Sequence, residues 1–117
     1  MTAVQTAPAA WVVVSEQRDY VAYADDAAVS RAGNLVRISD LVDLKVPRLS
    51  PYGVAHSSSL AHSEFDCAAA RVRTLAFVLY EGQMARGAVV EEVAPPDDWM
   101  PVFDGTLLHA LRRFACN

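Results

Sequence analysis

Short runs of β-branched and aromatic residues, separated by polar, glycine- or proline-bearing stretches, recur along this chain and predict strands through most of its length. Trp11-Val12-Val13-Val14-Ser15 reads as the first strand. The polar Glu16-Gln17-Arg18-Asp19 then turns the chain, and Tyr20-Val21-Ala22-Tyr23-Ala24 returns antiparallel to it. Asp25 to Arg31 has room for one helical turn, with Asp25 as its cap. Ala32-Gly33-Asn34 is a turn, because Gly33 or Asn34 can take positive φ. From Leu35 to Leu44, Val36, Ile38, Val42 and Leu44 share one face, interrupted by Asp40. Arg37, Ser39 and Asp43 share the other, with Leu41 as the exception, which is the pattern of a half-buried strand.

Lys45 to Ser58 holds Pro47, Pro51, Gly53 and several serines, and reads as a long loop of the kind that often carries function. Lys45, Arg48, Tyr52 and His56 form its candidate ligand-contact set; the alternative is a solvated connection that binds nothing. Ser59 to Cys67 alternates again, with Ala61, Phe65 and Cys67 on the more apolar face and Leu60, His62, Glu64 and Asp66 on the other. Ala68 to Tyr80 is a longer strand, polar on one face at Arg71 and Arg73 but apolar on both from Leu75 onward. Such a strand needs cover on both sides. A helix can supply one cover; sheet curl, a loop or a second subunit must supply the other, and the last of these hints at a homodimer. Glu81-Gly82-Gln83 predicts a hairpin turn, Gly87 to Val93 a final strand, and Pro95-Pro96-Asp97-Asp98 the end of the sheet. Asp104 is the predicted N-cap of a closing helix whose stripe is Leu107, Leu108, Leu111, Phe114 and Ala115. Arg112 and Arg113 fall in its last turn, where cations suit the helix dipole.

A length of 117 residues suits one domain with its own core, and a net charge of -4 argues against nucleic-acid or anionic-membrane partners. No apolar run reaches the ~18–20 residues of a membrane span. Residues 1–10 are Ala/Thr/Pro-rich and predict a disordered tail or the remnant of a signal, since Ala7-Pro8-Ala9 has the small residues of a cleavage site. Residues 11–117 are then the domain. The competing reading is a short cytosolic N-terminus.

The two cysteines, Cys67 and Cys116, divide along the same line: free thiols packed as small hydrophobes in the cytosol, or a disulfide after export. A bond would tie the closing helix to the sheet and contribute about 4 kcal/mol by closing a loop of roughly 50 residues. On an ideal helix Cys116 points away from the apolar stripe, so the bond requires the helix to unwind near Ala115.

Sites for chemistry are sparse. His56, His62 and His109 lack zinc-type spacing, and Asp25-Asp26 and Asp97-Asp98 do not resemble calcium loops, so no metal is expected. There is no G-x-S-x-G, no histidine placed to activate Ser57, Ser58 or Ser59, and no phosphate-binding glycine loop; neither an enzyme nor a cofactor is expected. Glu64 and Asp66 read as exposed alternation. Arg71, Arg73, Arg112 and Arg113 converge into an anion or partner patch if the helix packs beside their strand; otherwise they are solvated.

Taken in order, Trp11 opening the first strand, Tyr23-Ala24-Asp25, Arg31-Ala32-Gly33-Asn34, Phe65-Asp66-Cys67 followed by Arg71 and Arg73, Trp99-Met100-Pro101-Val102, and the closing Cys116 resemble the surface-adhesin protein E family of small exported Gram-negative proteins. The resemblance spans almost the whole domain. It implies an α+β fold: a curved antiparallel sheet of about six strands, with one C-terminal helix packed on a face and tethered by a disulfide. It also implies a non-catalytic, exported binding domain that contacts host matrix or plasma proteins, and a dimer. The alternative is a periplasmic or envelope domain with a structural or assembly role and a bacterial partner.

Overall fold

The computed structural model describes residues 8–117. The elements in chain order are β1 (Trp11–Glu16), β2 (Tyr20–Asp25), β3 (Ser30–Ala32), β4 (Leu35–Leu49), β5 (Ala55–Asp66), β6 (Arg71–Tyr80), β7 (Val89–Val93), β8 (Met100–Pro101) and α1 (Leu107–Ala115). Six strands make one open antiparallel path, β1-β2-β4-β5-β6-β7, with β3 beside β4 and β8 beside β6. The tail reading of residues 1–10 lies mostly outside the described residues. Ala10 itself is tied down: its N–H donates to Asp25 Oδ1 at 2.8 Å and its carbonyl accepts from Asp26 N at 2.9 Å.

Asp25 does not cap a helical turn. Its carboxylate accepts from Ala27 N at 3.0 Å, a tight turn that delivers Ser30–Ala32 to β4 as a strand. The reason is backbone satisfaction: β2 pairs with residues 40–44 of β4, leaving 35–37 for β3. Gly33, at φ 62°, starts the two-residue Gly-Asn loop between β3 and β4 with the left-handed residue first, as a type II′ hairpin demands.

The register assigns the sheet's two faces. Val36 pairs with Phe65 and Phe65 with Val72, so these lie on one face with Ile38 and Ala24. Leu111 and Ala115 of α1 close over them to make the core, flanked by Val14, Val29, Val102, Leu107, Leu108 and Phe114. The helix body rests mainly on β1, β2 and β4, and its C-terminal end reaches the β5–β6 turn.

Thr106, not Asp104, is the N-cap: its Oγ1 accepts from His109 N at 3.2 Å. Gly105 sits at φ +80°, outside helical space, so the helix can only start beyond it. Asp104 is left in the preceding turn, 3.6 Å from His109 Nε2. At the other end Cys116 is the C-cap, at φ -99° and ψ 13°, and its N–H still donates to Arg112 O at 2.7 Å. Cys116 is bonded to Cys67 with Cα atoms 5.6 Å apart, and Arg112 Nη2 donates to Cys67 O at 2.9 Å. Bond and guanidinium together pin the helix end to the β5–β6 turn.

The β6–β7 connection is longer than a three-residue turn. It runs from Glu81 to Ala88 and folds back onto the middle of β4 and the start of β5. Met84 N donates to Asp43 Oδ1 at 2.8 Å, Ala85 N to Ser58 Oγ at 2.9 Å, and Gln83 Nε2 to Leu44 O at 3.0 Å. Met84 and Ala85 both stand at φ 56°, a conformation uncommon outside glycine, and these bonds hold them in it. A loop thus supplies cover at the Tyr80 end of β6.

Candidate binding surface

The segment predicted as a long loop is mostly strand. β4 continues to Leu49 and β5 begins at Ala55, leaving only Ser50–Val54 as the turn. Pairing is irregular between Asp43 and Arg48, so Pro47 falls where a missing N–H breaks no ladder bond. The serines and prolines that suggested a loop mark a bulged hairpin.

Its tip has a fixed backbone. Ser50 is buried; its Oγ accepts from Tyr52 N and Val54 N, both at 3.2 Å, and donates to Glu91 Oε1 of β7 at 3.4 Å. Ser50 N donates to Val54 O at 2.8 Å, and Gly53, at φ +80°, makes the reversal. On this frame Val46 is 71% exposed, Leu49 70% and Tyr52 83%. Three large apolar side chains so exposed within seven positions set this hairpin apart, where a lone exposed residue would need no explanation.

Cations stand at the base of the hairpin. Lys45 Nζ is 4.0 Å from Glu16 and Arg48 Nη2 is 3.8 Å from Asp19, both exposed and weakly held. Arg18, Asp19, Lys45, Val46, Pro47 and Arg48 line an open hollow of about 300 Å³. Lys45 and Arg48 therefore share one site, and Tyr52 crowns the same hairpin. His56 pairs across from Arg48, with its Nδ1 buried and without a hydrogen-bond partner. Sequence reasoning missed Arg18, which arrives from the β1–β2 turn, and the apolar Val46 and Leu49. The alternation of Val46 and Leu49 with charged residues was the signal, masked by Pro47.

The four arginines do not converge. Arg71 and Arg73 lie on the face opposite α1, while Arg112 serves Cys67 and Arg113 is exposed. Glu64, whose side chain is only 4% exposed, accepts from Arg37 Nε and Arg73 Nη2, both at 2.7 Å. The Arg37 bond, with help from Arg73, holds its carboxyl below the ordinary range against the opposing effect of burial. Arg73 also reaches Asp97 at 3.2 Å, and Arg71 reaches Asp66 at 3.1 Å. Trp99 lies over both guanidinium groups, 4.6 and 4.8 Å from its ring centre. These contacts clamp the Pro95–Trp99 segment to the sheet and engage Arg71 and Arg73 with carboxylates and the Trp99 ring. Exposed alternation therefore does not describe Glu64. Ser39 Oγ and His62 Nδ1 meet at 2.7 Å across β4 and β5 on the same face.

Among the described residues, no three of His, Cys, Asp and Glu gather as for a metal ion, and no helix is long and apolar enough to cross a membrane. What the fold presents is a disulfide-tied sheet from which a hairpin projects exposed apolar side chains. The chain belongs to the surface-adhesin protein E family, whose model matches residues 11–117. Solved structures of Haemophilus influenzae protein E share the fold. One crystal form superposes with a TM-score of 0.63 at 16% identity, covering 97% of this chain and 96% of that one. Another structure of the same protein gives 0.60 at 14% identity over 88% and 87%. Protein E from a non-typeable strain gives 0.63 at 14% identity over 99% and 81%. No curated protein matches the chain in sequence.

Proposed function

We propose that the chain is an exported, non-catalytic adhesin domain of the bacterial surface, and that the β4–β5 hairpin tip is where it docks a host matrix or plasma protein. The observation that carries this is the conjunction of Val46, Leu49 and Tyr52 in solvent on a backbone fixed by Ser50. A preorganised tip binds without first losing conformational entropy, and burying each large apolar side chain is worth about 1.5–3 kcal/mol. Arg18, Lys45 and Arg48 form the polar rim, their exposed ion pairs easily exchanged for a partner's carboxylates. Family membership supports the adhesive reading.

Solid-phase binding of the oxidised protein to immobilised matrix and plasma proteins tests it. The wild type should bind at least one saturably, and Tyr52→Ala should weaken that binding by about tenfold or more, as loss of an aromatic anchor does. Retention by none of them would sink the adhesive reading. Wild-type affinity in both Tyr52→Ala and Leu49→Ser would move the site away from the tip.

A further inference from the structure

Asp40 stands on the helix-bearing face of the sheet and is only 5% exposed. Its partners across the ladder are Ala24 on β2 and Ala61 on β5. Ala24, and Ile38 two positions along β4, both belong to the cluster that α1 closes, so the carboxyl borders the seat of the helix. Its cross-strand surroundings among the described residues carry no charge. On β2 the same-face neighbours are Ala22, Ala24 and Tyr20, and on β5 Ser59, Ala61 and Ser63. From α1, His109 faces Asp104 and the N–H of Gly105, Arg112 donates to Cys67 O, and Arg113 is exposed. On β1, Glu16 meets Lys45. Among the described residues no donor bonds the Asp40 carboxyl, and burial pushes its pKa from 3.8 to about 7.

The helix is held unequally. Its C-terminal end is fastened by the Cys67–Cys116 bond and by Arg112, while its N-terminal half rests on packing by Leu107 and Leu108 and on the Thr106 cap. We propose that Asp40 makes the seating of α1 pH-sensitive, with the disulfide as the pivot: protonated, the carboxyl is tolerated among the alanines, and ionised, it draws water under the helix and frees its first turns. The direction follows from linkage. The seated form binds the proton more tightly than the opened form, so seating is strongest in acid, weakens as pH rises from the ordinary carboxylate range toward about 7, and levels off above it. The apolar stripe of α1 would be more accessible at neutral than at acidic pH.

Hydrogen exchange on the oxidised full chain at pH 5, 6, 7 and 8, corrected for intrinsic rates, tests this. Protection at Leu107–Leu111 should fall by up to about tenfold per pH unit between 5 and 7, then flatten, while β5 and β6 change less. Asp40→Asn, a neutral isostere, should remove the pH dependence. Carbon NMR of the Asp40 carboxyl should titrate near pH 7. A midpoint near 4, a helix profile unchanged in Asp40→Asn, or an equal loss of protection in every strand would each overturn the proposal.

Discussion

Glu64 shows how much one residue can organise. Its buried carboxylate joins Arg37 of β4 to Arg73 of β6, and Arg73 in turn holds Asp97 and Trp99. Removing its charge leaves Arg37 without its carboxylate and Arg73 with only the exposed Asp97 to balance it. Glu64→Gln should lower stability by about 2–4 kcal/mol, measured by urea denaturation. Because the pairing depresses its pKa, Glu64 contributes stability above the ordinary carboxylate range and loses that contribution as pH falls through the depressed value. The variant's deficit should therefore shrink in acid. Ser50 does comparable work at the tip: Ser50→Ala strips two backbone N–H groups of their acceptor. It should cost about 1–2 kcal/mol and raise amide exchange at Tyr52 and Val54. Neither role was legible in the chain. Glu64 looked like ordinary alternation because strand period gives its face but not that Trp99, far along the sequence, would return over its partner Arg73. Ser50 looked like one loop serine among several.

At the scale of elements, the longer strands were readable, and the bulged extension of β4 and the shortest strands were not. β2, the first ten residues of β4, and β6 stand close to where period-two patterning placed them. The hairpin extension was lost because its pairing breaks between Asp43 and Arg48, where the register skips and proline is tolerated. β3 and β8 span three and two residues, too few to show a period. The closing helix was legible in its stripe, but its start was misplaced because Gly105, read as helical, is left-handed. Thr106→Ala should therefore cost about 1 kcal/mol and Asp104→Ala much less, a contrast visible in thermal melts of the two variants. The disulfide bears on this element most. With its cysteines 49 positions apart, reduction should lower unfolding free energy by about 4 kcal/mol in the chain-entropy account. Alkylation before and after reductant, read by mass, should show two thiols only after reduction.

For the whole molecule, two kinds of carboxylate set opposite limits on stability. Glu64 and Asp66, both with lowered pKa values, favour the folded state above the ordinary carboxylate range. Asp40, raised to about 7, withdraws up to about 4 kcal/mol as pH climbs from near 4 to 7. Thermal midpoints should peak between about pH 4 and 5, decline toward pH 7 and then level off, with the decline much reduced in Asp40→Asn. The same architecture explains the division of labour in the fold. The helix, its disulfide and the Glu64 clamp occupy one end of the long β4–β5 pair, and the other end projects the apolar tip.

The central claim is that this tip is the binding surface. The most direct test is the amide-exchange footprint of whichever matrix or plasma protein the chain retains. Protection on binding should concentrate in residues 45–56 and at Arg18–Asp19, with the helix and the Glu64 clamp unchanged. A footprint on β7, on the helix or around Trp99 that spares the hairpin would contradict the account.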